Sequence, residues 1–295
     1  MTEHVDLAAL VERAMSAGGR GRMRPVIEKE LLHYDILFAL DQAALLDQLT
    51  FQGGTALRLC YGSARFSENL DLVCGHRPDR HGLQAMKSCV ADYLEARYGL
   101  EVSVTEPKEL AASPETRRVG IHRWQIRVVT APARRDLPKQ MIRIEVAEVP
   151  AYTRSPQQLR RNYDCLPDGY SDLIILVETL DEIMADKLVS LVDCTAHVRH
   201  RDIWDLQWLQ QQGAKPDPAL IRNKIRDYRV TGYRMNAERL ADRLPDIIHG
   251  RGFASEMRRF IPLDAQQRTL LKDKFLTLLE RETARLLSTA ARMAS

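Results

Sequence analysis

Apolar positions along the chain mark out helical stretches broken by runs that alternate like strands. Leu7, Leu10, Val11 and Met15 keep helical spacing and lead into Gly18-Gly19-Arg20-Gly21, which reads as a small lead-in helix and a flexible basic connector. Pro25 stands where a second helix begins, and Leu31, Ile36, Leu37, Leu40 and Leu45 carry its spacing as far as Leu46. Leu49 to Gln52 reads as a short strand or turn, and Thr55 to Tyr61 as a turn or two of helix. From Arg65 to Val73 the period drops to two. Arg65, Ser67, Asn69 and Asp71 project one way, and Phe66, Leu70 and Leu72 the other, with Glu68 the exception on the apolar face.

His81 to Tyr98 is helical again and is closed by Gly99, a good C-terminal stop. Strand-like runs follow at 101–104, 123–129 and 141–146. Helices followed by antiparallel-looking strands on short turns point to an α+β fold rather than a doubly wound sheet. Thr179 to Glu182 fits a capping box and opens a helix that runs to about Asp193. Gly213, Pro216 and Pro218 mark a linker, after which the pattern is helical at about 219–230, 236–249 and 253–260, and then in one long helix from Asp264 to about Ala291. The expected organisation is a lead-in over 1–24, a mixed domain over 25–212 and a basic helical domain over 213–295.

Composition narrows the class. With 45% hydrophobic and 28% charged residues in 295, the chain has the make-up of an ordinary globular protein. No apolar run approaches the roughly 18 residues a membrane helix requires, and the N-terminus lacks a secretion pattern, so the expectation is a cytoplasmic protein with no membrane partner. The cysteines at 60, 74, 89, 165 and 194 form no CxxC and no short ligand spacing, which argues for scattered thiols and against a zinc site. The net charge of +3 conceals an asymmetry: from Gly213 onward there are 17 Lys and Arg against 10 Asp and Glu. That excess suits a polyanion, and it equally suits long solvated helices rich in arginine.

Chemistry concentrates around the glycine pair Gly53-Gly54. Without Cβ atoms the backbone there can be approached by a phosphate or sugar, and the amide donors of a helix start favour anions. The polar row that follows places a guanidinium, a hydroxyl, an amide and a carboxylate side by side. Glu145 repeats the geometry, since Ile142, Ile144 and Val146 share one face and Arg143, Glu145 and Ala147 the other. A lone Glu on a strand is more often a surface residue, yet beside the Asn69/Asp71 strand it becomes a third oxygen ligand for Mg²⁺, which takes carboxylates from rigid elements together with substrate phosphates. Lys187 falls within the apolar stripe of its helix, so it either pairs with an anion or snorkels at the stripe's edge. Asp202 and Asp205, three apart, serve either as helix N-caps or as partners that orient Lys187 or Arg201. Trp204 and Trp208 read as core or interface residues.

These motifs carry a resemblance. The stretches Gly53-Gly54-Thr55-Ala56-Leu57-Arg58, Arg65-Phe66-Ser67-Glu68-Asn69-Leu70-Asp71, Ile144-Glu145, Glu182-Ile183-Met184-Ala185-Asp186-Lys187 and Arg201-Asp202-Ile203-Trp204-Asp205-Leu206 occur in the order found in the AbiEii/AbiGii toxin family of nucleotidyltransferases, which the sequence resembles over about residues 50–210. The resemblance implies a polymerase-β-like nucleotidyltransferase core with a helical C-terminal part. It also implies Mg²⁺-dependent transfer of a nucleotide from an NTP to an RNA acceptor, the tRNA 3′ end, and a cognate antitoxin. On that footing the nucleotide-binding set is Gly53, Gly54, Thr55, Arg58, Arg65, Ser67 and Lys187. The metal set is Asn69, Asp71 and Glu145, and the catalytic set is Asp71, Lys187, Asp202 and Ser67, with Asp202 supporting the lysine. One departure stands out. The family pattern has two acids where this chain has Asn69 and Asp71, and an asparagine lacks the charge that gives hard cations most of their affinity. Two rival readings follow: a binding module that keeps the nucleotide fold without the chemistry, and an enzyme that nucleotidylates protein hydroxyls. No GxxxxGK[ST] run and no kinase catalytic loop is present.

Overall fold

A computed structural model describes residues 4–16, 21, 23–75, 80–107, 119–134, 136 and 138–294. The connector glycines Gly18 and Gly19 lie outside the described residues. The chain divides into two compact units, Met1–Val177 and Glu178–Ser295, so the Gly213–Pro218 stretch falls inside the second.

The first unit holds α1 (Leu7–Met15), α2 (Arg24–Gln42), β1 (Thr50–Gln52), α3 (Gly53–Leu59), β2 (Asn69–Val73), α4 (Arg80–Tyr98), β3 (Val102–Thr105), β4 (Ile121–Val128), β5 (Gln140–Ala147), β6 (Arg154–Gln158) and β7, whose span Ile174–Glu178 ends at the division. Asp6 caps α1 by accepting from the Ala9 amide, 3.1 Å away. The seven strands form one sheet in the order β3-β4-β5-β2-β1-β7-β6. It is mixed. β1–β2, β3–β4 and β4–β5 are antiparallel, whereas β2–β5 and β1–β7 are parallel, against the antiparallel reading of the sequence. Short turns join only neighbours in sequence. β2 and β5 are separated by α4, β3 and β4, and long connections of that kind allow parallel pairing. One face of the sheet is apolar, with Leu70, Leu72, Trp124, Ile126, Val128, Ile142, Ile144 and Val146 buried, and α2 packs on α4 and β5. The Arg65–Val73 expectation is corrected: only Asn69–Val73 is strand, because Arg65 and Ser67 turn inward and are themselves buried.

α2 is buried on most of its surface, and it carries polar groups into the interior. His33 is one. Its Nε2 lies 3.2 Å from the Glu68 carbonyl, and burial pushes its pKa down to about 4 from the usual 6.5. A histidine that resists protonation in the fold favours the unfolded chain once that chain can bind the proton, so stability should fall as pH drops from about 6.5 to about 4. The full effect is about 3 kcal/mol at roughly 1.4 kcal/mol per pH unit. Urea unfolding at pH 7, 5.5 and 4 measures it, and His33→Gln should flatten that part of the profile.

The second unit holds α5 (Leu180–Asp193), α6 (His200–Gln211), α7 (Pro218–Asp227), α8 (Tyr233–Ile248), α9 (Arg251–Arg258), α10 (Leu263–Arg268) and α11 (Asp273–Met293). α5 packs on α6, α7 and α8, and α11 closes over α8, α6 and α7. The long helix expected from Asp264 is two helices. The chain turns at Thr269, and the turn buries Leu270, which a continuous helix would have to place by its period alone. Of the capping box expected at Thr179 the threonine half is absent: Thr179 occupies the N-cap without a side-chain bond to the helix, while Glu182 Oε1 lies 2.7 Å from Lys224 Nζ. Neither Asp202 nor Asp205 caps α6, since its N-cap is Arg199. Trp204 is buried, with its ring 5.4 Å from that of Phe275. Among the described residues no helix is long and apolar enough to cross a membrane.

Candidate active site

The sheet register assembles the first group. Asp71 on β2 lies directly beside Glu145 on the parallel strand β5, and beside Gln52 on β1. Glu145 in turn faces Arg123 on β4, with Arg123 Nε 2.6 Å from Glu145 Oε1. In-register residues on neighbouring strands share a face and are spaced by the strand separation, about 4.8 Å, so the two carboxylates stand side by side. Asn69 occupies the next position along the same face of β2, paired with Arg143.

The glycine pair closes one flank of this row. Gly53 has φ +76°, a left-handed conformation that side-chain-bearing residues rarely adopt, and a Cβ there would lie 2.7 Å from Asp71 Oδ2. A Cβ on Gly54 would collide with the Arg65 guanidinium and come within 3.2 Å of Ser67 Oγ. Gly53 is therefore demanded by its backbone conformation and by close approach, and Asp71, Arg65 and Ser67 gather around the β1–α3 turn. Arg65 is held in place by donating from Nη1 to the Phe66 carbonyl at 2.7 Å. Thr55 is buried and its hydroxyl donates to the Asn69 carbonyl, tying the start of α3 to β2. Arg58 turns elsewhere. Its Nε lies 2.9 Å from Glu30 Oε2, its Nη1 donates to the Ser63 carbonyl at 3.0 Å, and its guanidinium rests 4.1 Å over the Phe66 ring. The guanidinium thus serves to pin α3 to α2.

The second unit carries two more charged groups. Lys187 Nζ is 2.9 Å from Asp202 Oδ1 and 2.7 Å from Asp205 Oδ2, and its side chain is only 8% exposed, which removes the snorkelling alternative. Burial alone would raise the Asp202 carboxyl, but Lys187 and Arg199 beside it hold it well below the usual carboxylate range. Lys224, fully buried, has its Nζ 2.9 Å from Glu178 Oε1, 2.7 Å from Glu182 Oε1 and 2.8 Å from Asp186 Oδ2. The sequence reading missed this cluster: Glu182 and Asp186 have the four-residue spacing that stacks side chains on one helix face, while Glu178 joins them from the end of β7. Its lysine, contributed by α7, left no signal.

The family model for the nucleotidyl transferase AbiEii toxin, of type IV toxin–antitoxin systems, matches residues 35–281. The chain belongs to this family. Membership implies a nucleotide substrate and a cognate antitoxin. Two crystal structures from Helicobacter pylori are similar to the chain at 20% identity. One, of a protein put forward as a nucleotidyltransferase, has a TM-score of 0.43 and is covered over 94% of its length by 91% of this chain. The other, JHP933, has a TM-score of 0.40 with 91% of each chain covered. Among curated proteins there is no match.

AbiEii membership raises the matter of a divalent cation, and the two acidic groups answer it differently. Glu178, Glu182 and Asp186 bring their oxygens within 4.8 Å of one another, but the Lys224 ammonium sits against all three and already supplies the positive charge. That cluster does not fit a metal. Asp71 and Glu145, two carboxylates on adjacent strands beside a glycine turn, are hard oxygen donors that would hold Mg²⁺, with Glu145 Oε1 also paired to Arg123 at 2.6 Å.

Proposed function

We propose that this AbiEii protein is a Mg²⁺-dependent nucleotidyltransferase that moves a nucleotide from an NTP to an RNA acceptor, the tRNA 3′ end, on a polymerase-β-like core. The observation that carries the reading is the Asp71–Glu145 pair in register with Gly53 pressed against Asp71. In such a transfer the acceptor hydroxyl loses its proton and bonds to the α-phosphorus, and the α–β bridge breaks to release pyrophosphate. Gly53, Gly54 and Ser67 would receive the triphosphate, where absent Cβ atoms let phosphate oxygens reach backbone amides. Asp71 and Glu145, with the side-chain amide oxygen of Asn69 beside them, would hold Mg²⁺, which supplies charge neutralisation at the reacting phosphate. Arg123 holds Glu145 in position from the neighbouring strand. Lys187 has its charge met by Asp202 and Asp205 inside the helical unit, so the residues of the first unit alone carry the proposal.

The test is incubation of the purified protein with total RNA and each of the four α-labelled NTPs in turn. Label is expected in RNA of tRNA size with at least one NTP, and its loss on adding a chelator marks the cation requirement. Absence of labelled RNA with all four would overturn the reading. Label appearing in protein instead would support the rival in which hydroxyl side chains are the acceptors.

A further inference from the structure

Beyond Glu145 the open face of the sheet is basic up to its edge. The register places Thr105, Gln125, Arg143 and Asn69 in one row across β3, β4, β5 and β2, and Ser103, Arg127 and Met141 in the next row across β3, β4 and β5. Arg123 and Arg143 are exposed, and the outward positions of β3 and β4 carry no carboxylate. Glu106, which borders this face, is paired to Lys87 at 3.1 Å. Thr105, Glu106, Pro107, Ile121, Arg123, Gln125 and Arg143 line a depression of about 490 Å³ there. Apolar Ile121 and Met141 stay exposed on the same face, 42% and 37% respectively. A sheet face with arginines in successive rows, amide and hydroxyl groups between them, and exposed apolar patches suits single-stranded nucleic acid, whose phosphates meet the cations and whose bases lie on the apolar patches.

Position sharpens this. In-line displacement at phosphorus requires the attacking group to enter opposite the leaving group. The glycine turn occupies the β1 side of the Asp71–Glu145 row, and the arginine face occupies the β4 side. If the triphosphate lies on the first, the acceptor reaches the carboxylates from the second.

We infer that the open face of β3, β4 and β5, through Arg127 and Arg143, is the track along which the 3′-terminal single strand of the RNA acceptor is bound. This deepens the proposed function and rests on it for the identity of the acceptor. The experiment measures binding without NTP or metal, so it is independent of whether transfer occurs. Full-length wild-type protein, Arg127→Ala/Arg143→Ala and Arg127→Lys/Arg143→Lys are titrated into a fluorescent single-stranded oligoribonucleotide at several salt concentrations. Circular dichroism melting checks the fold of each variant. The alanine variant should bind at least about tenfold more weakly at low salt. Two lost phosphate contacts should make its log–log salt slope shallower by about 1.4. The lysine variant, which keeps both charges, should retain most of the binding. Unchanged affinity and slope in a folded alanine variant would overturn the inference while leaving the enzyme reading intact. With fluorescent polyglutamate titrated in parallel, loss of polyglutamate binding in the alanine variant with RNA binding unaltered would overturn it in favour of an acidic protein partner. Failure of wild-type protein to label RNA with any NTP, by contrast, would sink the enzyme reading and not the binding result.

Discussion

Asp71→Ala is expected to abolish nucleotide incorporation into RNA, by at least about 10³-fold, while the protein stays folded. Removing a group that stabilises charge only where it develops typically costs two to three orders of magnitude, and this carboxylate would hold the ion that does so. Asp71 is half-buried on the open face of β2, and its neighbour across the parallel ladder is a second carboxylate. Truncation removes one of two like charges that stand side by side on the sheet. Thermal stability should change little. The combination distinguishes a chemical role from a structural one, because a residue needed for folding would lose both. Labelling of RNA at the wild-type rate by the alanine variant would remove Asp71 from the reaction, and with it the pairing on which the site was built.

Lys224→Ala should have the largest effect on stability, roughly 3–5 kcal/mol, the cost of leaving buried charge uncompensated. The ammonium meets Glu178, Glu182 and Asp186 at 2.7 to 2.9 Å with its side chain fully buried. Burial, and then Asp186 beside it, drive the Glu178 carboxyl well above its usual range, and burial likewise raises Asp186. For Lys224 burial acts downward, but the three carboxylates outweigh it and keep the group charged. Carboxylates whose folded pKa is raised bind protons more readily in the fold than in the unfolded chain. Their contribution is therefore most favourable at low pH, and it is lost as pH rises above about 4.5. The Lys224→Ala deficit should be smaller at pH 5 than at pH 8, since protonation then relieves the stranded carboxylates. Urea unfolding at both pH values reads this, and adding Glu182→Gln and Asp186→Asn to the lysine variant should recover part of the loss. Equal stability of wild type and Lys224→Ala at pH 8 would show that water, not the lysine, neutralises the cluster.

The candidate site was legible wherever one element carries the whole signal. Alternation in Asn69–Val73 and Met141–Val146 told which residues share a face, because the strand period of two is a local property. The glycine pair stood out because a residue without Cβ at a helix start has few other purposes. Arg65 and Ser67 were read on the correct side of the chain but in the wrong conformation. Alternation cannot tell a strand from a loop whose polar side chains fold back on a glycine turn. Arg58 was read as a nucleotide contact because its motif places it next to the glycines. It faces Glu30 because one helical turn carries a side chain away from the residues it adjoins in sequence.

By itself, the sequence determined most of the helices, the strand runs of β2, β4 and β5 with their carboxylate-bearing faces, and the place of Lys187 within an apolar stripe, since each follows from periodicity. Only the tertiary structure decided that β2 runs parallel to β5 so that Asp71 meets Glu145, that Arg123 rather than a neighbour in sequence holds Glu145, and that Lys224 fills the acid cluster formed by the end of β7 and α5. Strand pairing and ion pairing between distant segments depend on which surfaces the packed core brings together, and neither leaves a trace in the local order of residues.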